Sequence, residues 1–367
     1  MKIAFIRGPY LNNFELQSYY PMLKDGSIQM TGFASRKPMH QVRIQTKKLW
    51  SPVDLPNFPY KLPILNRILA DAMYLYGLER ALRGSDIAHV RETYFHFTKQ
   101  AILARQKGYI KKVLVTCSET IPFNHETIWG RHQLKQFVIK NADHFHCLSQ
   151  KAKKALIAEG VSEDKITVIS YGVDLNHFKS VQTKPKSKVV KALFIGRLEE
   201  QKGVFELVQV WQKIRKNHPF TQLEVLGSGP LEKYIKRHGV IPKKIPYQQI
   251  VKHMQQVDLL ILPSKPTKYW EEYLGMVLLE SMATGLPIVT TSCGAIPEVV
   301  GDAALMVKPG DSEQLYKTWR QMIEDISLRN KLSQKGLKRA KTHFDANKQA
   351  EKLKKLYQTI LGAPRHK

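Results

Sequence analysis

Cysteine is nearly absent from this chain, and so are long apolar runs, balancing acidic charge and the glycine fingerprint of a dinucleotide site. The three cysteines, Cys117, Cys147 and Cys293, lie far apart, are odd in number and form no CxxC pair. That excludes a disulfide framework and a zinc ribbon, and it points to a reducing compartment. No stretch approaches the roughly 18 consecutive apolar residues of a membrane-spanning helix. "MKIAFIRGPY" has only Ile3 to Ile6 as an apolar run before Arg7, too short for a secretory signal core. The expectation is a cytoplasmic chain, peripheral on the inner face of a membrane if it meets one. "LGSGP" opens like a dinucleotide fingerprint, but the residue three after Gly229 is Glu232, so GxGxxG is not met and a dehydrogenase is disfavoured.

Acidic residues number 31 against 58 lysines and arginines, a formal charge of +27, in a chain of 367 residues. Residues 1–180 carry +12 of it and the remainder +15, so both halves are basic. Such a surface suits an anionic partner: phosphorylated metabolites, an anionic membrane or nucleic acid. A nucleic-acid binder is the alternative from another function class, yet there is no zinc spacing, aromatic RNP pattern or basic helix with heptads. In the first half, basic residues sit beside aromatics in two stretches. Arg36, Lys37, Arg43, Lys47 and Lys48 precede Trp50, and Arg105, Lys107, Lys111 and Lys112 surround Tyr109, a mixture that suits a lipid interface.

The length and the 43% hydrophobic content predict two domains. "KIAFIRG", "DIAHV", "KVLVTC", "HFHCLS" and "ITVISYG" read as short buried strands. Between them lie helical stretches such as "NRILADAMYLYGLERALRG", whose apolar residues recur at three and four spacing. After "KSVQTKPKSKVVK", a linker over residues 179–191, the alternation starts again with "KALFIGRL", "TQLEVLGSG", "VDLLILPS" and "PIVTT" as strands. Alternation of this kind means parallel sheets covered by helices. The reading is therefore a first domain over 1–180, a second over 181–345, and a terminal amphipathic helix over 346–367 that packs back on the first.

The second half carries the chemistry. "GRLEEQKG" places Arg197 and Lys202 just past a strand that ends at Gly196, where open α/β sheets bind ligands. A guanidinium fork and a mobile ammonium suit a diphosphate. Gly227 repeats the strand-to-turn device in "LGSGP". In "EEYLGMVLLESMATG" a helix starting near Leu274 or Gly275 leaves Glu272 in the preceding loop and Glu280 on the second turn. The amides of Leu274, Gly275 and Met276 then form an anion or hydroxyl site between them. Glu280 lies among apolar neighbours, so its burial requires a ligand or a partner.

Taken together, "GRLEEQKG", "LGSGP", "EEYLGMVLLESMATGLPIV" and "CGAIPEVVGDAALMVKPGD", in this order and spacing, resemble the retaining family-4 glycosyltransferases. "ADHFHCLSQKAKKALIAEGVSEDKITVISYGVDLNHF" resembles that family's closing segment of the first domain, so the likeness is good over residues 142–311 and in outline before them. It implies an α/β fold of the GT-B type, two doubly wound Rossmann-like domains facing across a donor cleft. It also implies a nucleotide-diphosphate sugar as donor substrate rather than a cofactor, with Arg197 and Lys202 on its phosphates, Glu272 beside the transferred sugar and Glu280 on the ribose. Transfer would go, with retention, to a glycan or lipid-linked acceptor, in cell-surface polysaccharide or glycolipid synthesis. There is no DxD triad, and the GT-B fold generally replaces the metal with cationic side chains, so metal independence is expected. A nucleotide-sugar epimerase of the same architecture is the alternative within the fold.

Two departures stand out. "RGPYLNNFE" has Gly8 alone where members often carry a glycine-rich loop. Where many carry a histidine near the donor sugar, "LVTCSETIPF" holds Ser118 and Glu119, which makes Glu119 a candidate catalytic residue. "HVRETYFHFTKQ" adds His89, Arg91, Glu92 and His96 past another strand end, bordering the acceptor side.

Overall fold

Short runs of β-branched and aromatic residues between helical segments leave the central strands buried on both faces, the condition under which parallel sheets form. The computed structural model describes residues 1–180 and 189–362, so most of the linker and the last five residues lie outside the described residues. The chain divides into two compact units, Met1–Gly172 with Ala346–Lys367, and Val173–Asp345. The change of unit thus comes before the linker at which the sequence places it.

The first unit holds a parallel sheet of β1 (Lys2–Ile6), β2 (Gln29–Ala34), β3 (Thr46–Lys48), β4 (Ser85–Arg91), β5 (Ile110–Cys117), β6 (His144–Cys147) and β7 (Ile166–Val168), in the order β3-β2-β1-β4-β5-β6-β7. Ile3 pairs with Ile87 in β1 and β4. Ile6, Val90, Val115 and Phe145 fill the core beneath the helices. The second unit holds β8 (Val190–Ile195), β9 (Thr221–Leu226), β10 (Leu259–Leu262), β11 (Ile288–Thr291) and β12 (Ala304–Val307), in the order β12-β11-β10-β8-β9. Each order reverses once, between β1 and β4 and between β8 and β10. A doubly wound sheet opens its ligand crevice at that switch point, beyond the carboxyl ends of the strands.

One helix expected from periodicity is split. The 66–84 stretch forms Lys61–Leu69 and Leu78–Ala81, broken where Ala70 turns to a φ of 60°. Asp71 holds the break, its side chain accepting the backbone N–H groups of Met73 at 3.1 Å and His96 at 2.8 Å. The helix Ala346–Ile360 belongs to the first unit, with Ala350, Leu353, Leu356 and Tyr357 buried. Its Tyr357 hydroxyl is hydrogen-bonded to His89 Nδ1 at 2.7 Å, in the heart of the sheet.

Candidate functional site

At the switch point of the second sheet, three segments meet. The loop after β8 turns through a short 3-10 helix, Glu200–Lys202, and sends the Lys202 ammonium to Glu272 Oε2 at 2.6 Å. Ser264, just past β10 and fully buried, donates its hydroxyl to the same oxygen at 3.0 Å. The Lys202 ammonium also lies 4.7 Å from the centre of the Trp270 ring. An ammonium has three N–H groups, so this one is fixed in place and still has donor capacity for an anion. Glu272 meets a cation and a hydroxyl through Oε2 alone, which leaves Oε1 for a ligand.

Backbone contacts hold this arrangement. Gly294 has a φ of +61°, and a Cβ there would lie 2.2 Å from the Glu272 carbonyl oxygen. The same carbonyl accepts the Ala295 N–H at 2.8 Å. No residue with a side chain fits this clamp without moving Glu272. Gly227 does the same for the neighbouring loop: a Cβ on it would come 1.9 Å from the Gly196 carbonyl oxygen. Gly196 in turn lies beside the Lys202 stem, 3.9 Å from a built Cβ to Lys202 Cδ.

The helix begins at Met276, one to two residues later than the expected start, with Gly275 as its cap and Leu274 buried before it. The Leu278 N–H closes the first turn on the Gly275 carbonyl at 2.8 Å, and the amides before it lie at the open N-terminus of the helix. Gly275 stands against Glu272, with 3.4 Å from a built Cβ to Glu272 Cγ. Glu280, on the same helix, is buried rather than solvated, and its partner is internal: Tyr247 donates its hydroxyl to Oε1 at 2.5 Å. Burial pushes the Glu280 carboxyl up to about 8, against the opposing effect of that hydrogen bond.

Two of the candidates are not drawn into this cluster. Arg197 is mostly exposed and ion-paired with Glu199. Glu119 belongs to the first unit, where Oε1 accepts the N–H groups of Thr120 at 2.9 Å and Ile121 at 3.0 Å, and Oε2 accepts Asn124 Nδ2 at 2.9 Å. Burial, with nearby Glu92 adding to it, pushes its carboxyl up to about 7. His96 is hydrogen-bonded to Asp71 and packs edge-on against Tyr74. Sequence reading passes over Ser264, Trp270, Tyr247 and Gly294. Only Gly294 carries a signal, a lone glycine in "CGAIP".

The first sheet's switch point is built differently. Arg7 donates through Nε to Glu15 Oε1 at 2.8 Å and through Nη1 to the carbonyls of Ile6 and His89. Tyr171 donates to Glu15 Oε1 at 2.6 Å, and Arg91 Nη1 stands 3.5 Å from Oε2. Burial raises the Glu15 carboxyl, but Arg7 and Arg91 outweigh it and hold the group below its ordinary value. Glu92, at a φ of 57°, accepts both the N–H and the hydroxyl of Ser118.

Residues 176–339 match the family described as glycosyl transferases group 1, and residues 30–177 match glycosyltransferase family 4. The chain belongs to the family-4 glycosyltransferases. Among curated members it is 25% identical to a glycogen synthase of Mycobacterium tuberculosis over 225 residues, 58% of this chain and 53% of the relative. It is 27% identical to the capsular polysaccharide biosynthesis glycosyltransferase CapM of Staphylococcus aureus over 236 residues, 58% of this chain and 61% of that one. The chain thus spans little more than half the length of these relatives. Among solved structures, Anabaena Alr3699/HepE in complex with UDP-glucose matches with a TM-score of 0.76 at 17% identity, covering 98% of this chain and 100% of that one. The lipopolysaccharide outer core galactosyltransferase WaaB matches at 0.66 and 19% identity, over 98% of this chain and 100% of that one. These likenesses carry the fold, which is GT-B. Among the described residues no group of three or more His, Cys, Asp or Glu could hold a metal ion.

Proposed function

We propose that the protein is a retaining glycosyltransferase that takes a sugar from a nucleotide-diphosphate donor and passes it to a glycan or lipid-linked acceptor. The observation that carries the reading is the Lys202–Glu272 pair, braced by Ser264 and clamped by Gly294 at the switch point of the second sheet. Lys202 faces the donor phosphates and Glu272 accepts hydrogen bonds from the sugar hydroxyls. Arg197 swings from Glu199 to the diphosphate when donor arrives. Glu280 takes the ribose diol in place of the Tyr247 hydroxyl. The acceptor attacks from the face that the phosphate leaves, and the departing phosphate oxygen collects the acceptor proton. Catalysis falls to cations that match charge growing on the leaving group. That leaves Glu272 to position the sugar.

Support for the donor class comes from structures of the same fold solved in complex with UDP and with UDP-glucose. Support for the acceptor class comes from relatives named for capsular polysaccharide and colanic acid biosynthesis. No helix among the described residues is long and apolar enough to cross a membrane. The test is a thermal-shift screen of nucleotide sugars, where a donor at 100 times its Kd adds about 2.7 kcal/mol. Product anomer analysis by NMR follows on whichever donor binds. Retention of configuration and full turnover in EDTA are expected. Inversion would overturn the mechanism, and loss of turnover restored by magnesium or manganese would overturn metal independence.

A further inference from the structure

Five of the nine residues of the Lys61–Leu69 helix are leucine or isoleucine, yet none of its residues is buried. An apolar helix in a domain ordinarily turns that face to the core. This one shows it to solvent: Ile68 is 66% exposed and Tyr60, before the helix, is 79% exposed. Ile64 lies one turn before Ile68 and on the same side. Ile68 and Leu69 line a cavity of about 390 Å³ together with His96, Lys99 and Trp129, and the Trp129 indole is 72% exposed.

The apolar face continues into an aromatic run. His96 packs on Tyr74 at 5.7 Å between ring centres, Tyr74 on Tyr76 at 4.9 Å, and Tyr76 on Trp50 at 4.7 Å. Trp50 follows the edge strand β3, which carries exposed Lys47 and Lys48. Residues 55–70 and 127–135 contain no aspartate or glutamate. Lys47, Lys48, Arg67 and Lys99 have no acidic partner among the described residues; Lys47 and Lys99 lie over the rings of Phe33 and Phe137. The second basic stretch behaves in the opposite way. Arg105 and Lys112 pair with Asp143, Lys107 with Glu79 and Lys111 with Asp86.

We propose that this face of the first unit seats in the surface of an anionic bilayer. The Lys61–Leu69 helix lies in the headgroup layer, Ile64, Ile68 and Trp129 reach toward the acyl chains, and the unpaired cations meet lipid phosphates. An exposed apolar helix with a basic surround is the form that interfacial anchors take, and tryptophan and tyrosine settle at headgroup depth. A second copy of the chain is the other occupant with apolar chemistry, but it would bring the same cationic surround into contact with itself. The inference rests on the membrane-facing part of the function proposed above and names the surface that serves it.

The test uses the full-length protein and vesicles of phosphatidylcholine with or without phosphatidylglycerol. Wild type should sediment with the anionic vesicles and dissociate as salt rises. The Ile64→Glu/Ile68→Glu variant should bind about tenfold or more weakly with an unchanged Tm. A Lys111→Ala/Lys112→Ala variant should bind like wild type. Brominated lipid should quench a fluorescence component that Trp129→Phe removes. The proposal is overturned if wild type stays in the supernatant at every salt concentration, if the double glutamate variant binds as wild type does, or if the patch instead holds a dimer that this variant dissociates. Transfer to a lipid-free acceptor, measured on the same proteins, separates the two readings: its persistence in a variant that no longer binds vesicles leaves the transferase reading standing whatever becomes of the membrane one.

Discussion

Both sheets reverse their strand order once, but the two switch points are furnished in opposite ways. At the first, Arg7, Glu15 and Tyr171 are wholly buried and bond one another and the strand-end carbonyls, with Arg91 joining from the edge. At the second, Lys202 and Glu272 are fixed against Ser264 and Trp270 but keep part of their surface open. The topology provides a crevice in each case. Whether it serves a ligand or the fold depends on how completely the chain's own groups satisfy one another there. In the first unit the charges are used up internally; in the second they are held ready.

This contrast can be broken by experiment. The largest effect is expected at the closed switch point. Arg7→Met leaves Glu15 buried beside a lost cation, and breaking a buried pair in this way costs about 3–5 kcal/mol. Urea unfolding should show that loss while donor affinity at 25 °C stays unchanged; a stable variant with weakened donor binding would make the first crevice a ligand site.

Next comes Lys202→Ala, or Glu272→Gln, at the open one. Either should lower kcat/KM by on the order of 10²-fold with little change in Tm, as removal of a preorganised charge partner does. Unfolding without a change in rate would reverse the assignment.

Glu280 gives a smaller, pH-dependent effect. Its carboxyl sits near 8 in the folded chain against an ordinary 4.5. The folded state therefore holds the extra proton between those values, and the group's contribution to stability falls as pH rises through that window. A ribose diol donates to the ionised form, so donor affinity should strengthen from pH 6 to 9 in wild type and stay flat in Glu280→Gln, by calorimetry. An equal slope in both proteins would remove Glu280 from the donor site. The smallest effect is expected from Arg197→Ala, a few-fold rise in donor KM, because this exposed side chain is tied to Glu199 before donor binds.

Much of the architecture was legible because parallel strands and amphipathic helices leave strong periodic traces. Glu272 reads as a loop residue before a helix, and the helix does start after it, at Met276. What could not be read is what long-range packing decides. Seventy positions separate Lys202 from Glu272, and nothing local announces that they meet. The Tyr247 hydroxyl on Glu280 is equally silent, which is why a buried carboxylate looks from sequence like one awaiting a ligand. The Lys61–Leu69 helix misled for the opposite reason. Its apolar period runs on into residues 72–82, and only the turn at Ala70, pinned by Asp71, separates an exposed face from a buried one.

The hydrogen bond between His89 and Tyr357 spans 268 positions of sequence, with consequences for the order of assembly. The first unit is begun by the earliest residues and closed by the last described helix, while the whole second unit is spelled out in between. A ribosome therefore releases a complete second unit before the first can finish its own interior. Domains fold as they emerge and long loop closures are slow, so the nascent chain passes through a period in which the second sheet is formed and His89 still lacks its hydroxyl partner. Loss of the Ala346–Ile360 helix, through early termination or proteolysis, would leave a chain with an intact second unit and a first unit unable to close.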